Sequence, residues 1–117
     1  MERILILDDN MLDAELVRME VEKLETETDV RICTSGAAYE KELVEFQPHL
    51  VLSDYNLPRY SGLKALHFLQ QHNKDTPLII VTGFLPPTEA VQLIKEGAED
   101  FILKEDLTPL VPAILRA

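Results

Sequence analysis

The stretch ILILDDN, residues 4–10, joins four large apolar residues directly to two adjacent carboxylates, Asp8 and Asp9. Its apolar part does not alternate with polar residues, which is typical of a strand buried on both faces of a sheet. Two like charges at the end of such a strand repel each other, so we expect a compensating group beside them. The stretch therefore predicts a buried strand with a charged site at its carboxyl end.

Four more strand-like runs follow, and a helical pattern comes after each of them. They are DVRICT at 29–34, PHLVLSD at 48–54, PLIIVTG at 77–83 and DFILK at 100–104. This alternation predicts one α/β domain over residues 1–117, with a doubly wound, five-stranded parallel sheet and helices on both faces. Right-handed crossovers favour the flavodoxin-like strand order 2-1-3-4-5.

The predicted helices lie in MLDAELVRMEVEKLETE, SGAAYEKELVEF, LKALHFLQQH, PPTEAVQLIKEG and DLTPLVPAILRA. Most acids of the first helix, Asp13 among them, fall on a solvated face. We expect Ser35 to cap the second helix and Gly97 to end the fourth in a left-handed conformation. The first helix carries one apolar stripe at helical spacing, formed by Met11, Ala14, Val17, Val21 and Leu24.

The composition excludes several classes of partner. With 21 acidic and 11 basic residues, the chain has a net charge of −10 and no basic stripe, so its surface repels nucleic acids and anionic lipids. No apolar run approaches the roughly 20 residues of a membrane-spanning helix, and no signal peptide is recognisable. The single Cys33 is expected to pack as a small apolar group. These features predict a cytoplasmic protein without direct nucleic-acid binding or membrane insertion.

Polar side chains mark the carboxyl ends of the central strands. Asp8 and Asp9 follow the first strand, Asp54 the third, Thr82 the fourth and Lys104 the fifth. Ligands of doubly wound sheets bind at this edge, where the strand order reverses. Three carboxylates there would force at least one to stay protonated unless a cation neutralises them. Mg²⁺ prefers oxygen ligands, and together with Lys104 it would balance the three negative charges.

A site balanced in this way can receive a phosphoryl group. Asp54 leads from a strand into a loop, which suits a carboxylate nucleophile that forms an acyl phosphate. Phosphoryl transfer requires mainly positioning and charge neutralisation, which Mg²⁺, Lys104 and the Thr82 hydroxyl would supply. Gly83 leaves a backbone N–H unobstructed beside the phosphoryl group.

The motifs LILDDN, LVLSDYNLPRYSGL, IIVTG and GAEDFILK, in this order and spacing, resemble those of response-regulator receiver domains, and the resemblance covers essentially the whole chain. It implies that a histidine kinase, a histidine phosphotransfer domain or a small phosphodonor phosphorylates Asp54. It also implies a Mg²⁺ site, which Mn²⁺ can occupy, formed by Asp8, Asp9, Asp54 and the backbone carbonyl of Asn56. Such a domain is a signalling module of a two-component phosphorelay rather than an enzyme, with weak self-phosphorylation and self-dephosphorylation.

The resemblance implies further roles. Thr82, Gly83 and Lys104 would bind the phosphoryl group, and Thr82 and Phe101 would form a conformational switch. Phe101 would turn inward as Thr82 moves toward the phosphate, although Phe101 considered alone is interpreted as a core residue. A downstream protein or output domain would bind the surface formed by the last helix, the fifth strand and the helix that starts near Pro86. Phosphorylation would shift the population from inactive to active conformations.

Three positions near the site are expected to set its individual properties. Most receivers have a cis-proline after the lysine, whereas this chain has Glu105. A cis bond without proline costs roughly 3 kcal/mol, so we expect a trans bond and a different loop shape. Asn56 and Phe84, two residues after Asp54 and Thr82, are expected to tune the phosphorylated lifetime. The bulk of Phe84 would shield the phosphoryl group from water and slow self-dephosphorylation.

The last helix has two possible starts. Thr108 can cap a helix that begins at Pro109 and is distorted by Pro112, or the helix starts at Pro112. The second start leaves only about one and a half turns before Ala117. Because so short a helix covers the sheet poorly, we expect the chain to be cut from a longer protein whose helix continues, such as a hybrid histidine kinase.

Other interpretations compete with a phosphorylated receiver. A pseudo-receiver would have the same fold and dock partners without being phosphorylated, and Glu105 keeps this alternative open. A phosphatase with an aspartate nucleophile would need an acid where Asn56 stands, and usually a cap domain. The Asp-Asp-Asn run is also a common helix cap, through Asp9 or Asn10. No nucleotide-binding glycine motif occurs, and three histidines without ligand spacing are interpreted as surface or helix residues, His49, His67 and His72.

Overall fold

The computed structural model describes residues 2–117 and contains the predicted alternation of strands and helices. The strands are β1 (Glu2–Leu7), β2 (Thr28–Cys33), β3 (Leu50–Ser53), β4 (Asn56–Leu57), β5 (Tyr60–Ser61), β6 (Leu78–Thr82) and β7 (Asp100–Leu103). The helices are α1 (Met11–Val21), α2 (Gly36–Phe46), α3 (Gly62–His72), α4 (Pro87–Lys95) and α5 (Leu110–Arg116). Within the described residues, no helix has the length and apolar character needed to cross a membrane.

The five longer strands form one parallel sheet in the order β2-β1-β3-β6-β7. Because β4 and β5 pair only with each other, this order is the predicted 2-1-3-4-5 arrangement, which is confirmed. The register aligns Leu7 of β1 with Cys33 and with Ser53 on its two neighbours, so the carboxyl ends of these strands are level. The residues that follow them are therefore brought to one edge.

Two apolar layers cover the sheet, as predicted for helices on both faces. Alternation along β1 sends Ile4 and Ile6 to one face and Leu5 and Leu7 to the other. The face of Ile4 and Ile6 packs against α1 and α5, and the opposite face packs against α2, α3 and α4. Cys33 is buried in the second layer, where burial raises the pKa of its thiol to about 11. The thiol therefore packs as the small apolar group that was predicted.

Side-chain caps fix the starts of three helices. Asn10 accepts a hydrogen bond from the backbone N–H of Asp13 at the start of α1, and Ser35 and Ser61 cap α2 and α3 in the same way. The predicted cap at Ser35 is confirmed, and Gly97 has a φ of 116° after α4, as expected of a helix-ending glycine. Helix α1 ends at Val21 and is shorter than its apolar pattern indicated.

Helix α5 begins at Leu110, so both predicted starts are wrong. The hydroxyl and the N–H of Thr108 both donate to Asp106, and Pro109 occupies the cap position. Pro112 is then the third helical residue, where the N–H has no partner within a helix in any case. The first helical bond runs from the N–H of Ala113 to the carbonyl of Pro109, at 3.0 Å. Pro112 is therefore accommodated without distortion.

The segment after β3, expected to be a plain loop, contains the β4–β5 hairpin. Pro58 fixes φ at its first turn position and Arg59 adopts a positive φ of 59° at the second. Gly62 follows, and its N–H donates to the carbonyl of Tyr55 at 2.8 Å. A Cβ at Gly62 would lie 3.0 Å from the carbonyl oxygen of Asp54, so glycine allows this close approach. The hairpin and Gly62 together hold the chain that leaves Asp54.

Candidate functional site

Four neighbouring strands carry the predicted site residues to one edge of the sheet. Asp8 directly follows β1, Asp54 follows β3, Thr82 ends β6 and Lys104 follows β7. The sheet hydrogen bonds continue past the strand ends, since the N–H of Asp54 donates to the carbonyl of Leu7 at 2.8 Å and that of Lys104 to the carbonyl of Thr82 at 2.9 Å. The backbone of each residue is therefore fixed by the sheet itself.

Three carboxylates converge at this edge. Asp8, Asp9 and Asp54 each offer an oxygen, and the three oxygens lie within 4.8 Å of one another. Asp8 and Asp54 are buried, whereas Asp9 is exposed, so the group opens to solvent on one side. An all-oxygen donor set with an open side fits a hard divalent cation that keeps part of its water. Asn56 lies on β4, two residues beyond Asp54.

Lys104 is the cation that neutralises this edge. Its Nζ lies 2.8 Å from a carboxylate oxygen of Asp8, 2.9 Å from one of Asp54 and 2.9 Å from one of Asp13. Burial works against the charge of the ammonium, but the hydrogen bonds to the three carboxylates outweigh burial and raise its pKa above the usual range. Lys104 is therefore charged at all physiological pH values.

Burial has the opposite consequence for Asp8. It raises the pKa of Asp8 above its usual value, against the stabilising contacts with Lys104 and with the N–H of Asn10. The charged carboxylate thus stays costly in the folded protein even beside the lysine. The same carboxylate accepts from the N–H of Asn10 at 2.9 Å, and Asn10 caps α1. The Asp-Asp-Asn run therefore forms a helix cap and also contributes to the carboxylate group.

Thr82, the last residue of β6, and the two residues after it contribute uncharged groups to this edge. The Thr82 side chain is buried, and its hydroxyl makes only a long contact of 3.5 Å to the carbonyl of Phe84. Gly83 is exposed, and a Cβ built there meets no atom within 4 Å. The Phe84 side chain is 70% exposed and projects into solvent. The backbone at Gly83 is therefore open to a group placed at this edge, and the Thr82 hydroxyl is held by only one weak contact.

The interpretation of Phe101 as a core residue is wrong, because it is 39% exposed. Its neighbour Ile102 is 4% exposed and packs on the α1 and α5 side. Strand β7 is the last strand of the sheet, and α4 covers the face of Phe101 only in part. Phe101 borders an apolar surface recess, whose other residues are Pro87, Ala90, Val91, Ile94 and Lys95.

The assignment of Asp13 to a solvated helix face is also wrong in one respect. Its side chain is 37% exposed, but its carboxylate is paired with Lys104. Asp13 lies in the first turn of α1, directly after the loop that carries Asp8 and Asp9. This position could have predicted the contact with Lys104, because the first turn of a helix that directly follows a strand lies at the carboxyl edge of the sheet.

Two smaller predictions, on the peptide bond after Lys104 and on the histidines, are confirmed. No described peptide bond is cis, so the bond between Lys104 and Glu105 is trans, as predicted. The three histidines lie at the surface or on a helix as expected, with His67 paired to Glu96 at 2.8 Å.

Comparison with known proteins identifies the class to which this fold and site belong. The response regulator receiver domain family matches residues 4–114. The chain belongs to this family, whose members act in two-component signalling. The transcriptional regulatory protein YdfI of Bacillus subtilis is 28% identical over 105 residues, which cover 90% of this chain and 49% of YdfI. The chain spans about half or less of the length of the first curated relatives that it matches.

Solved structures agree with the fold. The signal receiver domain of the response regulator NarL from Mycobacterium tuberculosis superimposes with a TM-score of 0.85 and 25% identity, over 98% of this chain and 94% of that one. The Mn(2+)-bound form of response regulator Rcp1 superimposes with a TM-score of 0.80 and 22% identity, over 97% of this chain and 89% of that one. The doubly wound receiver fold is thus common to all three.

Proposed function

We propose that this chain is a phosphoacceptor domain in which Asp54 takes a phosphoryl group in a Mg²⁺-dependent reaction. The donor is the phosphohistidine of a histidine kinase or of a phosphotransfer domain, or a small molecule such as acetyl phosphate. The observation that carries the proposal is the group of three carboxylates within 4.8 Å, with Lys104 paired to the two buried ones. Membership of the receiver family supports it.

The carboxylates of Asp8, Asp9 and Asp54 and the backbone carbonyl of Asn56 would hold the cation. Bound Mg²⁺ would neutralise charge on the phosphoryl oxygens, and Mn²⁺ would substitute for it. The oxygen-only donor set and its open side support this assignment. Rcp1, which shares the fold, has been solved in a Mn(2+)-bound form.

The chain's own residues would carry the transfer. A carboxylate oxygen of Asp54 attacks phosphorus, and the bond from phosphorus to the donor's nitrogen or oxygen breaks, with its electron pair leaving on the donor. Lys104 exchanges a carboxylate contact for a phosphoryl oxygen, and the Thr82 hydroxyl and the N–H at Gly83 bind the remaining oxygens. The weak existing contact of the Thr82 hydroxyl supports this exchange, since little is lost when it moves.

The output would depend on Thr82 and Phe101. As Thr82 moves to the phosphoryl group it leaves space, and Phe101 turns inward from its exposed position, which changes the surface formed by α4, β7 and α5. A downstream protein or an output domain would recognise that surface. Phosphorylation acts by favouring one of two existing conformations. We place this function in the cytoplasm, with chemistry limited to self-phosphorylation and slow self-dephosphorylation.

Asn56 and Phe84 would set the phosphorylated lifetime. Phe84 lies on the loop beside the site, and its exposed side chain has free space in which to fold over a phosphoryl group. We expect Phe84→Ala to shorten the lifetime, as followed by intact mass after removal of the donor. An unchanged lifetime would contradict shielding by this residue without affecting the role of Asp54.

The test is intact mass after incubation with acetyl phosphate, with and without Mg²⁺. We expect a gain of one phosphoryl group that requires Mg²⁺, persists in Asp75→Asn and is absent from Asp54→Asn. Asp75 is an exposed aspartate in the loop before β6, at the opposite edge of the sheet, and serves as the matched control. Folded protein that gains no mass, from acetyl phosphate or from a phosphorylated histidine partner, would instead identify a pseudo-receiver.

A further inference from the structure

The ammonium group of Lys104 has three carboxylate partners, since it donates hydrogen bonds to Asp13 and Asp54 and forms an ion pair with Asp8. A lysine offers three N–H donors, and three carboxylate oxygens lie 2.8 to 2.9 Å from Nζ. The side chain of Lys104 is only 17% exposed, so the ammonium has little room for further partners. A phosphoryl oxygen can therefore reach Lys104 only if one of the three carboxylates gives up its contact.

The three partners differ in what happens to them during phosphorylation. Asp54 is the acceptor and loses charge when its oxygen is esterified. Asp8 belongs to the carboxylate group that suits a cation, and a bound cation would compete with Lys104 for its oxygens. Asp13 lies outside that group, and it is neither esterified nor placed to bind the cation. It is therefore the one partner that competes with the phosphoryl group for Lys104 from beginning to end.

The backbone of Asp13 is also fixed. Its N–H donates to the side chain of Asn10, the cap of α1, and the N–H of Asn10 donates to Asp8. The position of the Asp13 carboxylate is thus tied to the same loop that places Asp8. The ion pair joins α1 to the residue that follows β7, 91 positions further along the chain.

We propose that Asp13 is a positioning residue that restrains Lys104 and thereby limits phosphorylation of Asp54. The inference rests on the proposed phosphoacceptor function and adds a fourth carboxylate to it. Asp13 and Asp54 both contact the same nitrogen, so their oxygens lie within about 6 Å, where charge interactions are strong. Removing the Asp13 charge should release the ammonium toward the phosphoryl group.

The experiment uses four proteins that form a double-mutant cycle: wild type, Asp13→Asn, Lys104→Gln and the double variant. Asparagine keeps the size of the side chain and its acceptor oxygen. Glu15→Gln is the control, since it removes one charge from the same helix, where Glu15 lies 3.6 Å from Arg18 and does not pair with Lys104. The rate of Mg²⁺-dependent phosphorylation is measured by intact mass over a range of acetyl phosphate concentrations.

We expect Asp13→Asn to raise the limiting rate about threefold, the effect of removing a partly exposed ion pair. Glu15→Gln should change the rate less than twofold, because surface charges are well screened. In the Lys104→Gln background, Asp13→Asn should have no effect, since the restraint acts through the lysine. An equal effect in both backgrounds, or an unchanged or slower rate in Asp13→Asn alone, would overturn the inference.

A second measurement separates this inference from the proposed function. The ¹⁵N-resolved ammonium resonance of Lys104 in the unphosphorylated protein should shift in Asp13→Asn and stay in place in Glu15→Gln. An unshifted resonance would refute the restraint while leaving phosphorylation of Asp54 intact. Wild-type protein that takes up no phosphoryl group would refute the proposed function and this inference with it, and a shifted resonance would then report only a structural ion pair.

Discussion

The carboxyl and amino edges of the five-stranded sheet carry different kinds of polar side chain. The buried polar or charged side chains of the described chain are all at the carboxyl edge, and they are Asp8, Ser53, Asp54 and Thr82. At the amino edge, the charged group of Arg3 reaches outward, and its Nε donates to the carbonyls of Phe46 and Gln47 at 3.0 Å each. The amino edge thus carries its charge near the surface, whereas the carboxyl edge carries buried carboxylates.

This difference separates what stabilises the fold from what the site requires. Burial of apolar side chains in the interior of the sheet stabilises the fold, and this burial is greatest on β1, β3 and β6. The carboxyl edge buries Asp8, and this burial is unfavourable to its charge and only partly offset by Lys104. Substitutions of apolar residues in the interior of the sheet should therefore destabilise the protein, and neutralisation of Asp8 at the carboxyl edge should spare or increase its stability.

The largest loss of stability is expected from Ile79→Ala. Ile79 is fully buried as the second residue of β6, on the face that packs against α1 and α5. Removing its side chain should lower the free energy of unfolding by about 3 kcal/mol, and Ile79→Val by about 1 kcal/mol. Urea unfolding measures both. A loss of less than about 1 kcal/mol in the alanine variant would mean that β6 contributes little to the stability.

Gly62→Ala tests the boundary between the two regions. The new Cβ would lie 2.7 Å from Ile80 and 3.0 Å from the carbonyl oxygen of Asp54. Relief of the first contact moves the end of the Ile80 side chain and relief of the second moves backbone, so we expect a loss of about 2 kcal/mol in urea unfolding. Gly83→Ala, where the Cβ meets open space, is the control and should cost less than about 0.5 kcal/mol. Equal losses in both variants would contradict the assigned close approach.

Asp8→Asn should make the protein more stable in the absence of divalent cations. Burial raises the pKa of Asp8, so its charged form costs more in the folded protein than in the unfolded chain. Asparagine removes that cost, and Lys104 keeps Asp54 and Asp13 as partners. We expect a gain of about 1 kcal/mol near neutral pH, measured by urea unfolding with a metal chelator present.

The pH dependence of this gain has a definite sign. Because the folded-state pKa of Asp8 lies above 3.8, its contribution to stability falls as the pH rises from that value through the raised pKa. The gain in Asp8→Asn should therefore be small at acidic pH and largest above both pKa values. Asp75→Asn, which removes an exposed charge, should show no such trend. A destabilised Asp8→Asn protein would mean that the ion pair outweighs burial.

The interior of the sheet and the position of the site were predictable from the sequence. Unbroken apolar runs can be satisfied only by burial on both faces, so they determine β1, β3 and β6 with little ambiguity. Parallel strands end at a common edge, which brings Asp54 and Lys104 together although 50 residues separate them. The polar residue after each run was enough to predict this edge.

Features that depend on contacts between distant segments were not predictable. Asp13 resembles any other acid on a helix until α1 and the end of β7 meet. Thr108 does not cap α5 because its hydroxyl donates to Asp106. The sequence alone does not indicate whether the hydroxyl contacts Asp106 or the start of the helix. The exposure of Phe101 depends on how far α4 covers the last strand, which no local pattern specifies.

Phe101→Ala is expected to have the smallest effect on stability. An aromatic residue in a strand usually stabilises by burial, but this side chain is 39% exposed beside an apolar recess at the edge of the sheet. We expect a change within about 0.5 kcal/mol in urea unfolding, compared with about 2 kcal/mol for Ile102→Ala, the adjacent residue on the covered face. Equal losses of stability in the two variants would mean that Phe101 is packed in the core. A neutral result would leave an apolar side chain that contributes little to the fold and is free to serve the surface formed by α4, β7 and α5.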